Sequence, residues 1–218
     1  MFFKKNLPVV IAEISGNHGG SLQKAKKLIL EASKAGADYV KIQTYTADSM
    51  TINSRKNDFL IKHGPWKGYN LYDLYKDAQT PLEWQEKLYQ FAKKNDIKLF
   101  SSVFDEKGVD LLESLNVPLY KIASFEITDL PLIEYVSSKK KPIIISTGLA
   151  DEKEIKEAVN VAKSAGCKKI ILFHCISSYP ARFEDYNLLS IKYYKKKFSL
   201  PIGLSDHTRD YKAALIAT

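Results

Sequence analysis

Arginine is scarce in this chain of 218 residues: only Arg55, Arg182 and Arg209 carry a guanidinium. The net charge of +8 would otherwise suggest nucleic acid as a partner, but the planar fork that reads bases and phosphates is nearly missing. The lysines are scattered over helix-like stretches, as at Lys24, Lys26, Lys27 and Lys34. The two runs of three, 139–141 and 195–197, each precede a proline-led strand. We therefore expect no nucleic-acid partner and read the lysines as a solvated surface whose field would suit a small, multiply charged anion. Cysteine is equally sparse. Cys167 and Cys175 form no C-x-x-C pair, and reduced thiols of a cytoplasmic protein are expected. No apolar run is long enough to span a membrane, and residues 1–6 lack the pattern of a secretion signal. No G-x-G-x-x-G follows the first strand, since Gly16 and Gly19-Gly20 have the wrong spacing, which argues against a dinucleotide site.

What is present is alternation. With 45% hydrophobic residues the chain can bury one sizeable core. The apolar runs 9–13, 39–44, 98–102, 120–126, 142–148, 169–175 and 201–205 read as strands. The first of them looks buried on both faces. Helical spacing follows most of them. Ser21 and Asp151 stand at cap positions, and Ala35-Gly36 and Ala165-Gly166 at helix ends. Thr80-Pro81-Leu82-Glu83 reads as a helix start with threonine at the cap. Residues 45–80 form a long excursion between the second strand and the next helix. Seven β-to-α steps predict an α/β protein with a parallel sheet, and specifically a (β/α)8 TIM barrel. Seven is one short of eight, so the expectation is a single barrel domain over 1–218, truncated after its seventh strand and the start of the following helix.

The strand ends carry the chemistry. They present Glu13; Lys41 and Gln43; Ser101 and Ser102; Lys121, Ser124 and Glu126; Ser146 and Thr147; His174, Ser177 and Tyr179; and Ser205, Asp206 and His207. In barrels the C-terminal strand ends form the active site. Lysines and hydroxyls together suit a phosphate and a carboxylate. A buried lysine such as one in 120–126 is expensive unless it is paired or used.

Five stretches, 11–20, 41–46, 120–126, 146–148 and 203–208, lie in register with the sialic acid synthase family of nonulosonic acid synthases, and the chain resembles that family over nearly its whole length. The form of 41–46 and of the excursion, with Trp66, the run 71–75 and Thr80-Pro81, is most similar to the pseudaminic acid synthase branch. The resemblance implies condensation of phosphoenolpyruvate with an open-chain acetamido sugar, for this branch 2,4-diacetamido-2,4,6-trideoxy-altrose, with release of phosphate. It also implies a divalent metal, Mn2+ or Mg2+, held by two histidines, of which His207 is the first. Lys41, Ser102, Lys121, Ser124, Ser146, Ser177 and Ser205 would hold phosphoenolpyruvate, and Gln43 and Tyr179 would meet the sugar. Glu126 would bond a substrate hydroxyl, and Glu13 would handle the water.

Val103 stands where the family usually has proline, and Ser177 replaces the asparagine of the sialic branch. The family's eighth barrel unit and its small C-terminal antifreeze-like domain, which reaches over the partner subunit in a homodimer, are not found in these residues. The alternatives are an N-acetylneuraminate or legionaminate synthase of the same family, a Schiff-base aldolase using Lys121 or Lys41, and a non-catalytic remnant that binds a phosphorylated ligand.

Overall fold

The computed structural model describes residues 7–218. They form two compact units, one running up to Pro118 and the other Leu119–Thr218. The first unit contains β1 (Ile11–Glu13), α1 (Leu22–Lys34), β2 (Tyr39–Thr44), α2 (Ala47–Met50), α3 (Leu71–Ala78), α4 (Leu82–Lys94), β3 (Leu99–Val103) and α5 (Glu106–Ser114). The strands run parallel, with Glu13 opposite Lys41 and Gln43 opposite Ser102. Val40, Ile42 and Leu99 pack with Ala25 and Ile29 of α1 and Leu88 and Ala92 of α4. Full burial of one such aliphatic side chain contributes about 1.5–3 kcal/mol.

The second unit repeats the scheme with β4 (Tyr120–Ile122), α6 (Leu130–Ser138), β5 (Ile143–Ser146), α7 (Glu152–Ser164), β6 (Ile170–Cys175), α8 (Leu189–Phe198), β7 (Ile202–Ser205) and α9 (Lys212–Ala217). β4, β5, β6 and β7 pair in chain order, all parallel. Ile143, Ile144 and Ile145 are fully buried, as the continuous apolar run requires. No helix among the described residues is long and apolar enough to cross a membrane.

The helix caps and ends follow the sequence at four of the expected places. Ser21 Oγ accepts from the Lys24 amide, and Asp151 and Glu154 form a reciprocal capping box. Gly36 and Gly166 take φ of +94° and +97°, a conformation nearly closed to residues with a Cβ. Thr80 departs from expectation. It does not cap α4, which starts after Pro81 with no side-chain cap bond. Its hydroxyl instead faces His18 Nε2 at 3.2 Å, and a buried tertiary partner has displaced the local one.

Two further expectations are corrected. The first strand is not buried on both faces. It is three residues long, Val10 is 53% exposed and Glu13 is exposed. The backbone before it is held from one side, with Asp38 Oδ2 accepting from the Val10 amide at 3.0 Å. Nor does the excursion over 45–80 run without a helix as far as α4. It holds α2, a 3-10 turn over Asn57–Phe59 and α3. Asn70 caps α3 and donates from Nδ2 to the Ser54 carbonyl. Arg55 grips Asp73 with two guanidinium nitrogens, and Tyr72 donates to Asp48.

Tyr45 begins this segment, and it is a core residue. It is 4% exposed and meets Tyr75 and Phe104 edge-on at 5.9 and 5.5 Å. Tyr45→Ala is expected to cost about 3 kcal/mol, as large-to-small aromatic changes do. Limited proteolysis should then cut within 46–79 while the sheet residues stay protected; unchanged protection of that segment would refute its dependence on Tyr45.

Candidate active site

In the first unit, parallel register puts Glu13 and Lys41 side by side, and the two form an ion pair. Lys41 Nζ also donates to Ser102 Oγ at 3.0 Å. Glu13 Oε1 accepts from the Ser15 amide at 2.8 Å and the Ser15 hydroxyl at 3.2 Å. Glu13, Lys41 and Ser102 are therefore one connected chain, whose ammonium is anchored at both ends. Ser101 is buried beside it but spends its hydroxyl on Thr44 Oγ1 (2.7 Å) and on the carbonyls of Ile42 and Ser102, so it is structural. Gln43 is half-buried, and its carbonyl accepts from Gln85 Nε2 at 3.4 Å.

The loop after β1 is fixed by His18. Nδ1 accepts from the Gly20 amide at 3.2 Å, so the ring proton lies on Nε2 and is donated to Thr80. Burial and then Lys24 hold this imidazole below its ordinary pKa, in keeping with the neutral ring that those two bonds require.

The second unit holds the larger set. Lys121 is 5% exposed, and its charge acts on Glu126, Cys175 and His207. Ser124 Oγ accepts from the Gly148 amide at 3.2 Å. A Cβ on Gly148 would lie 2.6 Å from Ser177 Oγ, 2.8 Å from Ser124 Oγ and 3.0 Å from the Cys175 carbonyl. Two candidate hydroxyls thus close on a backbone that must be bare. Ser146 is 1% exposed, and its hydroxyl has no hydrogen-bond partner. A buried hydroxyl left unpaired is costly, and such groups gather where a ligand supplies the missing bond.

Glu126 does not end a strand. β4 stops at Ile122, and Glu126 sits on a 3-10 turn, Phe125–Thr128. Its Oε2 is buried without a partner. Burial pushes its carboxyl from 4.5 up to about 7, against the opposing pull of its own backbone hydrogen bond and of Lys121. Near neutral pH it can both donate and accept a proton.

His207 Nδ1 lies 2.8 Å from the Ile176 carbonyl and 3.9 Å from Cys175 Sγ. With the carbonyl taking the Nδ1 proton, the lone pair of the neutral ring lies on Nε2, which has Tyr179 OH and Ser205 Oγ each at 3.4 Å. The Tyr179 ring, half exposed, stacks on the imidazole at 4.3 Å. Burial opposes the imidazolium, but the Cys175 sulfur and the Ile176 carbonyl outweigh it and raise the His207 pKa. Burial likewise opposes the Cys175 thiolate, and His207, Ser124 and Lys121 together bring that thiol down to about 7.

This tautomer suits a metal ligand. However, no group of three His, Cys, Asp or Glu side chains able to hold a metal ion is found among the described residues. His207 fits one ligand position, and the remainder of a metal site is not supplied here. His174, the other histidine of this unit's strand ends, is structural: it is buried, donates from Nε2 to the Tyr186 carbonyl at 2.5 Å, and packs edge-on against Tyr186 and Tyr194.

Sequence reasoning missed Tyr186, Gly148 and the Cys175–His207 contact. A glycine two residues past a strand end was a usable signal, because a bare backbone there implies close approach. A lone tyrosine in a turn carries no such signal.

The model of the NeuB family matches residues 28–218. The chain belongs to the NeuB family. It is 44% identical to the pseudaminic acid synthases of Helicobacter pylori, over 97% of this chain and 62% of that protein, and of Campylobacter jejuni, over 95% and 61%. The chain thus spans about three fifths of the length of these NeuB relatives. The crystal structure of N-acetylneuraminic acid (sialic acid) synthetase from Leptospira borgpetersenii in complex with citrate superposes with a TM-score of 0.85 at 32% identity. It covers 99% of this chain and 73% of its own. The fold is accordingly of the (β/α)8-barrel class predicted from the seven β-to-α steps.

Two outcomes are expected. Gly148→Ala should disrupt the Ser124–Ser177 pair and lower the affinity for an anionic ligand at least about tenfold, the size of one lost charge-assisted hydrogen bond; calorimetric titration measures it. For Glu126, the unfolded chain gives up the proton near 4.5 and the folded chain near 7. Its contribution to stability therefore falls as pH rises between those values. Glu126→Gln should flatten that part of the stability-pH curve relative to the unaltered protein, as followed by thermal unfolding across the window.

Proposed function

We propose that this chain is the substrate-binding barrel of a synthase that condenses phosphoenolpyruvate with an open-chain acetamido sugar, giving a nonulosonic acid and inorganic phosphate. The observation that carries the reading is the second-unit set in which buried Lys121 accompanies Ser124, the unpaired hydroxyl of Ser146 and the bare Gly148 backbone. A compact anion with phosphate and carboxylate oxygens would supply the bond that the Ser146 hydroxyl lacks and a negative charge beside the Lys121 ammonium. In this reading Lys121, Ser124, Ser146, Ser177 and Ser205 bind phosphoenolpyruvate together with Lys41 and Ser102, and Gln43 and Tyr179 meet the sugar.

C3 of the enol forms the new carbon–carbon bond to the aldehyde carbon, whose oxygen takes up a proton. Water adds at C2, and phosphate leaves with the C2–oxygen bond. Glu126, titrating near neutrality, bonds a sugar hydroxyl in either protonation state. Glu13, held beside Lys41, is the candidate for orienting the water. A divalent metal, Mn2+ or Mg2+, would take the His207 Nε2 and supplies Lewis-acid polarisation of the aldehyde. The protein in this reading is a cytoplasmic homodimer.

The 44% identity to two pseudaminic acid synthases supports 2,4-diacetamido-2,4,6-trideoxy-altrose as the sugar. Lys121→Ala is expected to raise KM for phosphoenolpyruvate by about tenfold or more, since a hydrogen bond to a charged group contributes roughly 1.5–3 kcal/mol; a KM like that of the unaltered protein would sink the assignment. Steady-state kinetics should also give a higher kcat/KM with the diacetamido sugar than with N-acetylmannosamine, and the reverse order would transfer the protein to the neuraminate branch. Borohydride with a keto acid should trap no lysine adduct, which separates this chemistry from a Schiff-base aldolase.

A further inference from the structure

We propose that Tyr186 is a positioning residue that sets Ser205 and His207 for the substrate anion. The inference rests on the functional reading above only in taking Ser205 and His207 as parts of the site. Tyr186 ends the 3-10 turn Phe183–Tyr186 and is fully buried. Its hydroxyl donates to the Ser205 carbonyl at 3.1 Å and accepts from the His207 amide at 2.6 Å. The same hydroxyl also interacts with the Asp206 carboxylate. One phenol therefore bonds the backbone on both sides of Asp206: the carbonyl of Ser205, which ends β7, and the amide of His207, which lies beyond it.

The ring itself is held from behind. His174 donates to the Tyr186 carbonyl and meets the ring edge-on. This makes a continuous support running from β6, through His174 and Tyr186, to the Ser205 backbone and the His207 amide. Ser205 Oγ and His207 Nε2 are 3.4 Å apart, so a shift of this backbone moves both groups at once. Phenylalanine would keep the packing and remove both hydroxyl bonds, leaving the His207 amide to find another partner.

The experiment is Tyr186→Phe in the protein, read in two ways. The imidazole 15N resonances of His207 at fixed pH should move, and KM for phosphoenolpyruvate should rise about tenfold, the size of one lost hydrogen bond in a polar site, with KM for the sugar within about twofold. A role confined to stability would lower the unfolding temperature without that split between the two substrates. Unchanged His207 resonances overturn the positioning claim, and moved resonances with an unchanged KM for phosphoenolpyruvate overturn its link to the anion. Should the variant not fold, 3-fluorotyrosine at 186 retains the ring and alters the hydroxyl's donor and acceptor strength, with the same resonances as the readout. If the unaltered protein consumes no phosphoenolpyruvate, the functional reading fails, whereas the resonances still decide whether Tyr186 governs His207.

Discussion

Parallel register is the constraint on which the candidate site depends. In a parallel ladder the backbone bonds fix which residues lie opposite one another, and a slip of one residue would turn every side chain to the other face. Register places Glu13 beside Lys41 and Gln43 beside Ser102 in the first unit, and Cys175 beside Ser205 in the second. In the first unit the apolar residues lower on the strand enforce that register, because Val40 and Ile42 alternate with the less buried Lys41 and Gln43 and only one setting buries them. The polar ends are thus aligned by hydrophobic packing several residues away. No direct attraction between them is needed to bring them level.

Beyond the strand ends, the same chemistry is handed to turns, and turns need a different kind of support. His18 anchors the loop after β1 through Thr80, and Tyr186 anchors the residues after β7. Both are buried side chains with a fixed proton or hydroxyl that bonds atoms distant in sequence. Each satisfies polar groups that the ladder cannot reach, and in a poorly hydrated interior such bonds confine the backbone strongly. The ion pair of Glu13 and Lys41 works similarly, although Glu13 is exposed enough for solvent to weaken it.

These differences explain what the sequence made legible. The run Tyr39–Thr44 was readable to the residue, because Val40 and Ile42 alternate with Lys41 and Gln43 after a glycine turn, the two-residue period of a strand. Ser21, Asp151, Gly36 and Gly166 were readable since capping is a local bond or a local dihedral. Thr80 was misread for the same reason. Its local pattern favours a cap, and the partner that wins, His18, is 62 residues away. Glu126 was placed on a strand, because the 3-10 turn that carries it leaves no periodicity over four residues. Tyr186 was invisible. Its role lies in two backbone atoms of another element, and nothing in the composition of a turn announces such a partner.

The segment between β2 and α4 is closed by its own ends. The Ala47 amide donates to Gln79 Oε1 at 3.1 Å, across 32 residues, and Tyr45 meets Tyr75 nearby. For a loop pinned in this way, the entropic cost of closure grows only logarithmically with length, about 0.6 kcal/mol for each doubling. Insertions or deletions between the pins are therefore tolerated at little thermodynamic expense, whereas a single residue added to β2 would reverse its inward and outward faces. This protein can accordingly diversify in one place and not in another: the stretch between Ala47 and Tyr75 can change in length so long as Tyr75 and Gln79 keep their partners, while the strand-end lysines and hydroxyls stay fixed.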